Sequence, residues 1–232
     1  MKKILVSWSS GKDSAWTLHQ LRLSGEYEIA GLLTTVNTAF DRVAMHGTRR
    51  EVLEAQVEAV GLPLWTVPLP WPCSNKEYEA AMSAVCKRAV AVGVAAIAFG
   101  DLFLEDVRRY REERLVGTGL QPLFPLWGIN TAELVRTMLR ARVKARIVCV
   151  DPKKLPKEFA GRDLDEEMLE KFDPAIDPCA ENGEFHTCAY AGPMFRKPVA
   201  IESGEVVERD GFVFADVKLA PDAVEASGAS GR

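Results

Sequence analysis

The chain has 232 residues, 47% of them hydrophobic and 27% charged, a composition that matches an ordinary soluble globular protein with a sizeable core. A formal net charge of −4 and a pI of about 5.6 exclude a global electrostatic pull on anions, so neither nucleic acid nor an anionic membrane is an expected partner. The longest apolar runs, such as VGVAAIAF at 92–99, fall far short of the roughly 18–20 residues of a membrane span, and ILV after Lys2 and Lys3 is too short for a signal-peptide core, so a cytoplasmic address is expected.

KKILVSW (2–8) reads as a buried strand, and DSAWTLHQLRLSG (13–25) as an amphipathic helix closed by Ser24 and Gly25. EIAGLLTTVN (28–37) is a second strand, TRREVLEAQVEAVG (48–61) a helix stopped at Gly61, and LWTVPLP (64–70) a short third strand. SNKEYEAAMSAVCKRAVAVG (74–93) reads as a helix opened by a Ser or Asn cap, and VAAIAFGD (94–101) as a fourth, continuously apolar strand. EDVRRYREERL (105–115) has helical spacing, whereas the Gly- and Pro-bearing VGTGLQPLFPLWG (116–128) reads as a loop or domain junction. Then come a helix (131–141), a strand ARIVCVD (145–151), a short acidic helix LDEEMLEKF (164–172), and a loop carrying ENGEFHT (181–187). VAIESGEVVERDGFVFADVKLA (199–220) looks like a hairpin turning at Asp210-Gly211, and the small, polar tail 221–232 is expected to be disordered.

Strands about 30 residues apart with helices between them define βαβ units, hence an α/β fold with a mostly parallel sheet covered on both faces. The expected organisation is a Rossmann-like domain over about 1–125 and a smaller α+β domain over about 126–220. The five cysteines are odd in number, scattered and without a CxxC pair, which argues against a disulfide framework or structural zinc and for reduced, mostly buried thiols.

In such sheets ligands sit at the carboxyl ends of the strands. There the run Ser7-Trp8-Ser9-Ser10-Gly11-Lys12-Asp13-Ser14 passes from a strand end straight into a helix, aiming backbone N–H groups and the positive helix end at one point. Gly11 lets the backbone approach an anion, the hydroxyls can donate to it, and Lys12 supplies a mobile positive charge; the expected anion is a pyrophosphate. The run is neither GxxxxGK[ST] nor GxGxxG. A plain helix cap would need only one Ser or Asp and leaves the other hydroxyls and the glycine-lysine pair unaccounted for.

SSGKDS resembles the SGGKDS loop of the ATP pyrophosphatases, enzymes of the adenine nucleotide alpha-hydrolase superfamily that cleave ATP between the α and β phosphates; it departs at Ser10, where that loop more often has glycine. RVAMHG (42–47), EAQVEAVGLPL (54–64), SNKEYE (74–79), FGDLFLED (99–106), LFPLWG (123–128) and DPCAENGEFHT (177–187) are together similar to the diphthine–ammonia ligase family and its bacterial relatives, over about residues 2–200. Ala180 stands where that pattern has glycine.

The resemblance implies an alpha-hydrolase-like first domain with ATP held through its β and γ phosphates by Ser7, Ser9, Ser10, Gly11, Lys12 and Ser14, with Trp8, Asp13 and Gly100 in the same binding region. Thr34 and Thr35 would neighbour adenine or ribose, and His46 would touch the nucleotide or shape its pocket, the alternative being a surface histidine. Asp101 would hold Mg²⁺ or a substrate amine, and one of Arg108, Arg109 and Arg111 could reach a phosphate or carboxylate while the others form a solvated face. In the second domain Glu184 and His186 are the expected catalytic groups alongside Lys12 and Asp101, pointing the same way on an extended segment; Glu181, Asn182, Gly183, Phe185 and Thr187 would bind substrate. The implied reaction adenylates a carboxylate, releases pyrophosphate, and passes the acyl group to ammonia or an amine. The carboxylate would be diphthine on an elongation factor or a small molecule, and a homodimer is a further expectation. A tRNA thiolase-type enzyme and a non-catalytic nucleotide sensor remain open at this level.

Overall fold

The computed structural model describes residues 1–221; the tail from residue 222 on, expected to be disordered, lies outside the described residues. In chain order the elements are β1 (Lys2–Ser7), α1 (Lys12–Ser24), β2 (Tyr27–Asn37), β3 (Arg42–Val43), α2 (Arg50–Val60), β4 (Leu64–Leu69), α3 (Asn75–Ala91), β5 (Ala96–Ala98), α4 (Glu105–Leu115) and β6 (Gln121–Leu123). They continue with α5 (Thr131–Arg140), β7 (Lys144–Val150), a single 3-10 turn at Lys157–Phe159, α6 (Glu166–Glu170), β8 (Phe185–Ala191), β9 (Ile201–Arg209) and β10 (Phe212–Leu219).

β4, β2, β1, β5 and β6 form a parallel sheet in that spatial order, and β3 adds a short antiparallel pair at the end of β2. β1 is central, and Ile4, Leu5 and Val6 are fully buried because helices cover both faces, so apolar character runs on without alternation. The winding turns outward from β1 through β2 and β4, then returns to start β5 on the other side of β1. That switch opens a crevice between the carboxyl ends of β1 and β5. The expected α/β class, with a Rossmann-like parallel sheet and a smaller second unit, holds.

The second sheet is antiparallel, in the order β8-β7-β10-β9. Its hairpin turns where expected, with Asp210 at φ 53° and Gly211 at φ 82°, the pair of left-handed residues a two-residue turn of this hand demands. One hydrophobic cluster runs from the α1 and α2 face of the first sheet (Val6, Leu18, Leu32, Val60) into the second (Ile147, Phe185, Val213), which seats the second sheet against the start of α1. A separate cluster under α3 (Leu5, Val67, Cys86, Ile97) covers the other face of the first sheet.

Two segments read as loops contribute strands. In 116–128, QPL forms β6, and its Pro122 is tolerated because β6 is an edge strand where a missing N–H costs little. The end of ENGEFHT opens β8, whose residues are nearly all buried and so lack the polar alternation that marks a half-buried strand.

Candidate active site

The crevice holds a cavity of about 440 Å³, within the usual range for a small-molecule site. Its walls come from the ends of β1 and β5, the first turn of α1, Val43 at the end of β3 with residues 44–46 after it, side chains of α3 and α4, and the 179–187 segment that runs into the start of β8.

At the start of α1 the N-cap residue Gly11 has no side chain to offer, and the cap comes from elsewhere: Lys12 N–H donates to Thr187 Oγ1 at 3.1 Å, across 175 residues. Glycine is required at position 11 by close approach, because a Cβ there would lie 2.8 Å from His46 Cε1 and 3.3 Å from Thr187 O. β8 lies along the loop, with Ala189 N–H donating to Ser10 O at 2.8 Å and His46 Nδ1 bonded to Thr187 O at 3.1 Å. Ser14 Oγ donates to Gly11 O at 2.9 Å and lies 3.3 Å from Ser9 Oγ, so the two hydroxyls are already tied to the loop they were expected to donate from.

One expectation about this loop is corrected, and one residue in it is strained. Lys12 is not a mobile charge: it is 3% exposed, and its ammonium donates to Cys179 O and pairs with Asp13 at 3.0 Å. Burial alone would lower its pKa, but Asp13, with Cys179 and Asp177 behind it, outweighs that and holds it above the ordinary lysine value, so it stays charged. Ser10 is not in an ordinary conformation: its φ is 71°, the left-handed region, and Ala180 is likewise at 62°. The two places where the resembled sequences carry glycine are thus left-handed here with side chains in place, at a cost of about 1–2 kcal/mol each.

The cavity is electrostatically graded. Glu181 accepts from Leu102 N–H at 2.7 Å, yet is pushed up to about 6, first by burial and then by Asp13 and Asp101. Asp101 is raised by burial, against the pull of Arg111, whose Nε lies 3.5 Å from its Oδ2; that oxygen, that Nε and Asp13 Oδ1 are all buried without a hydrogen-bond partner. On the β8 side, the rings of His46 and His186 lie 4.7 Å apart. Burial, followed by Lys12, pushes His46 down to about 4 against its hydrogen bond to Thr187; burial, His46 and Lys12 push His186 to about 3. Both imidazoles are therefore neutral near pH 7. Because Thr187 O is an acceptor, His46 Nδ1 carries the hydrogen and Nε2 keeps a lone pair.

Ser7, Ser9, Lys12, Asp13, Ser14 and Thr35 line the cavity, as do Trp8, His46, Gly100 and Asp101 and, from the second unit, Glu181, Gly183, Phe185, His186 and Thr187. Ser10, Gly11, Thr34, Asn182 and Glu184 do not. Thr34 lies on the opposite pleat of β2 from Thr35, fully buried with its hydroxyl unpartnered. Glu184 is 2% exposed and turned inward, where Oε1 accepts from Asp177 N–H at 3.1 Å and from Asn182 Nδ2 at 3.2 Å. The expectation that Glu184 and His186 point the same way fails because Glu184 precedes β8 and braces the turn before it. Trp8 is 1% exposed, with its indole N–H bonded to Gln56 Oε1, so its role is mostly in the core.

Residues that sequence reasoning did not single out complete the walls: Leu33, Tyr78, Met82, Phe99 and Val107 form an apolar side. Of Arg108, Arg109 and Arg111 in α4, Arg111 reaches the cavity, while Arg108 stacks over Phe124 and Trp127. SNKEYE does contain Tyr78, but only α3 packing shows which of its faces turns inward. Among the described residues no cluster of three or more His, Cys, Asp or Glu side chains forms a metal cage, and no helix is long and apolar enough to cross a membrane.

The family model for the diphthamide synthase N-terminal domain matches residues 1–121, and that for the diphthamide synthase C-terminal domain matches residues 130–220. Curated relatives include the diphthine–ammonia ligases of Bos taurus and Homo sapiens, each 28% identical with 90% of this chain and 86% of the relative covered, and that of Mus musculus, 26% identical with the same coverage. The chain belongs to the diphthamide synthase family.

Proposed function

We propose that the chain is an ATP-dependent amide-forming ligase of the diphthine–ammonia ligase type, in which a substrate carboxylate attacks the α phosphorus of ATP, pyrophosphate leaves, and ammonia displaces AMP from the acyl-adenylate. The observation that carries this reading is the convergence, on one cavity at the β1–β5 switch, of a helix N-terminus, a charged buried lysine and two neutral imidazoles, in a chain whose family models span nearly its whole length. The apolar side formed by Leu33, Tyr78, Met82 and Phe99 suits a purine ring. The first turn of α1 suits the β and γ phosphates: the N–H groups of Asp13 and Ser14, which line the cavity, have no intrahelical partner, and Lys12 lies beside them.

Mg²⁺ fits the residues present in the way this ion commonly binds with nucleotides, through one or two carboxylates plus phosphate oxygens and water. The orphaned Asp13 Oδ1 and Asp101 Oδ2 are the oxygens that would take it, and it would offset phosphate charge there. The nucleophile must be ammonia rather than ammonium, so a proton has to leave. His46 Nε2, with its lone pair free and His186 beside it, is the group we assign to accept that proton, in place of the inward-facing Glu184. Arg111 and Glu181 would face the acyl substrate and the amine. All five cysteines are free, which supports a reducing, cytoplasmic setting.

The test is pyrophosphate release from ATP in the presence of ammonium and either a diphthine-bearing elongation factor or small carboxylates. Release dependent on the protein substrate is expected. Losing a hydrogen bond to a charged group costs about 1.5–3 kcal/mol, so Lys12→Ala should weaken ATP binding roughly tenfold to a hundredfold. Unchanged nucleotide affinity in calorimetry, for a variant with native circular dichroism, would refute the phosphate role of this loop.

A further inference from the structure

Gln56 sits in α2, fully buried, within the EAQVEAVGLPL segment. Both ends of its amide are bonded: Oε1 accepts from Trp8 Nε1 at 3.1 Å, and Nε2 donates to Ser10 O at 3.1 Å and to Ala189 O at 2.6 Å. A buried amide is tolerable when bonded in this way, but an apolar residue would fill the same core position without needing partners.

Ser10 is the left-handed residue of the loop, and its carbonyl is gripped from two sides, by Gln56 Nε2 and by Ala189 N–H at 2.8 Å. A peptide unit is planar and trans, so its C=O and the following N–H point in opposite directions. Turning Ser10 O toward Gln56 and Ala189 therefore turns Gly11 N–H away from them. Gly11 N–H indeed donates to Ser9 Oγ at 3.4 Å, and Ser9 lines the cavity.

We propose that Gln56 is a positioning residue of the phosphate grip: through the Ser10–Gly11 peptide it fixes the Gly11 N–H toward Ser9 Oγ, and so holds the hydroxyl that lines the cavity. The assignment rests on the reading of this loop as the phosphate site. Gln56 touches neither the cavity nor any reacting atom and acts only through that peptide plane. It also links α2 to β8, so the same amide holds the loop and the strand that covers it in register.

The experiment compares wild type with Gln56→Met, which keeps volume but removes both polar atoms, and Gln56→Glu, which keeps an acceptor for Trp8 but turns an oxygen toward Ser10 O and Ala189 O. Cys188→Ala is the control, because Cys188 Sγ lies 3.7 Å from the same Nε2 and the substitution leaves the Ser10 bond untouched. Steady-state pyrophosphate release should show KM for ATP raised about tenfold or more in both Gln56 variants, with kcat changed less than about threefold. Cys188→Ala should lose thermal stability while its KM for ATP stays within about twofold of wild type. Folded Gln56 variants with unchanged KM, or a Cys188→Ala KM that rises as far as theirs, would overturn the proposal. Absence of ATP binding by the wild type itself would overturn the phosphate-site reading, and this inference with it.

Discussion

Replacing Ser10 with glycine should stabilise the protein, although Ser10 is fully buried in the loop proposed to hold the phosphates. Two costs disappear: the left-handed conformation at φ 71°, about 1–2 kcal/mol for a residue with a Cβ, and the burial of a hydroxyl without a hydrogen-bond partner, about 1–3 kcal/mol. Against them stands the greater freedom of glycine in the unfolded chain, about 0.5–1 kcal/mol, and a small void where the side chain was. The balance is a gain of about 2 kcal/mol, which for a chain of this size raises Tm by roughly 4–8 °C. Ala180→Gly relieves the same kind of strain at φ 62° but removes no polar atom, so its gain should be about 0.5–1 kcal/mol. The difference between the two variants, read by urea or thermal denaturation, isolates the orphaned hydroxyl. A Ser10→Gly Tm at or below that of wild type would refute the reasoning.

Glu184→Ala should cost about 1–3 kcal/mol by stranding Asp177 N–H, while turnover per folded molecule falls by less than about threefold; a loss of several orders of magnitude would restore Glu184 as the base. His46 and His186 sit at about 4 and about 3 in the folded chain, below the unfolded value of about 6.5, so the unfolded chain binds more protons in acid. Their contribution is present above about pH 6.5 and is lost as the pH falls toward the folded values. Allowing for partial solvent exposure, wild type should be about 1–2 kcal/mol less stable at pH 5 than at pH 7 in urea unfolding, and a His46→Gln, His186→Gln double variant should flatten that slope; equal slopes would count against neutral imidazoles in the folded chain. Arg111→Gln should raise KM for the carboxylate substrate about tenfold and leave KM for ATP nearly unchanged, a split visible in steady-state kinetics.

The order and type of most elements are legible in the chain itself, because local signals mark them: the Ser74 capping box with Glu77, the left-handed stop at Gly61, the Asp210-Gly211 turn, and the unbroken apolar runs of the central strands. The proposed phosphate loop stands out for the same reason, being one continuous run of eight residues, 7–14. What the tertiary structure alone decides are matters of partnership. β6 is a strand only because β5 offers it an edge, and Glu184 is inward only because Asp177 N–H waits for it. The cap of α1 is supplied by Thr187, and the carbonyl of Ser10 is held by Gln56, 46 residues along the chain. Local propensity and periodicity are sums over neighbours in sequence, whereas the direction of a buried side chain is set by whichever donors and acceptors the packed sheets bring within about 3 Å of it. In the loop at Ser10 and Gly11 the two meet: the residue types are chosen locally, but the direction in which their peptide points comes from strands and helices far away in the chain.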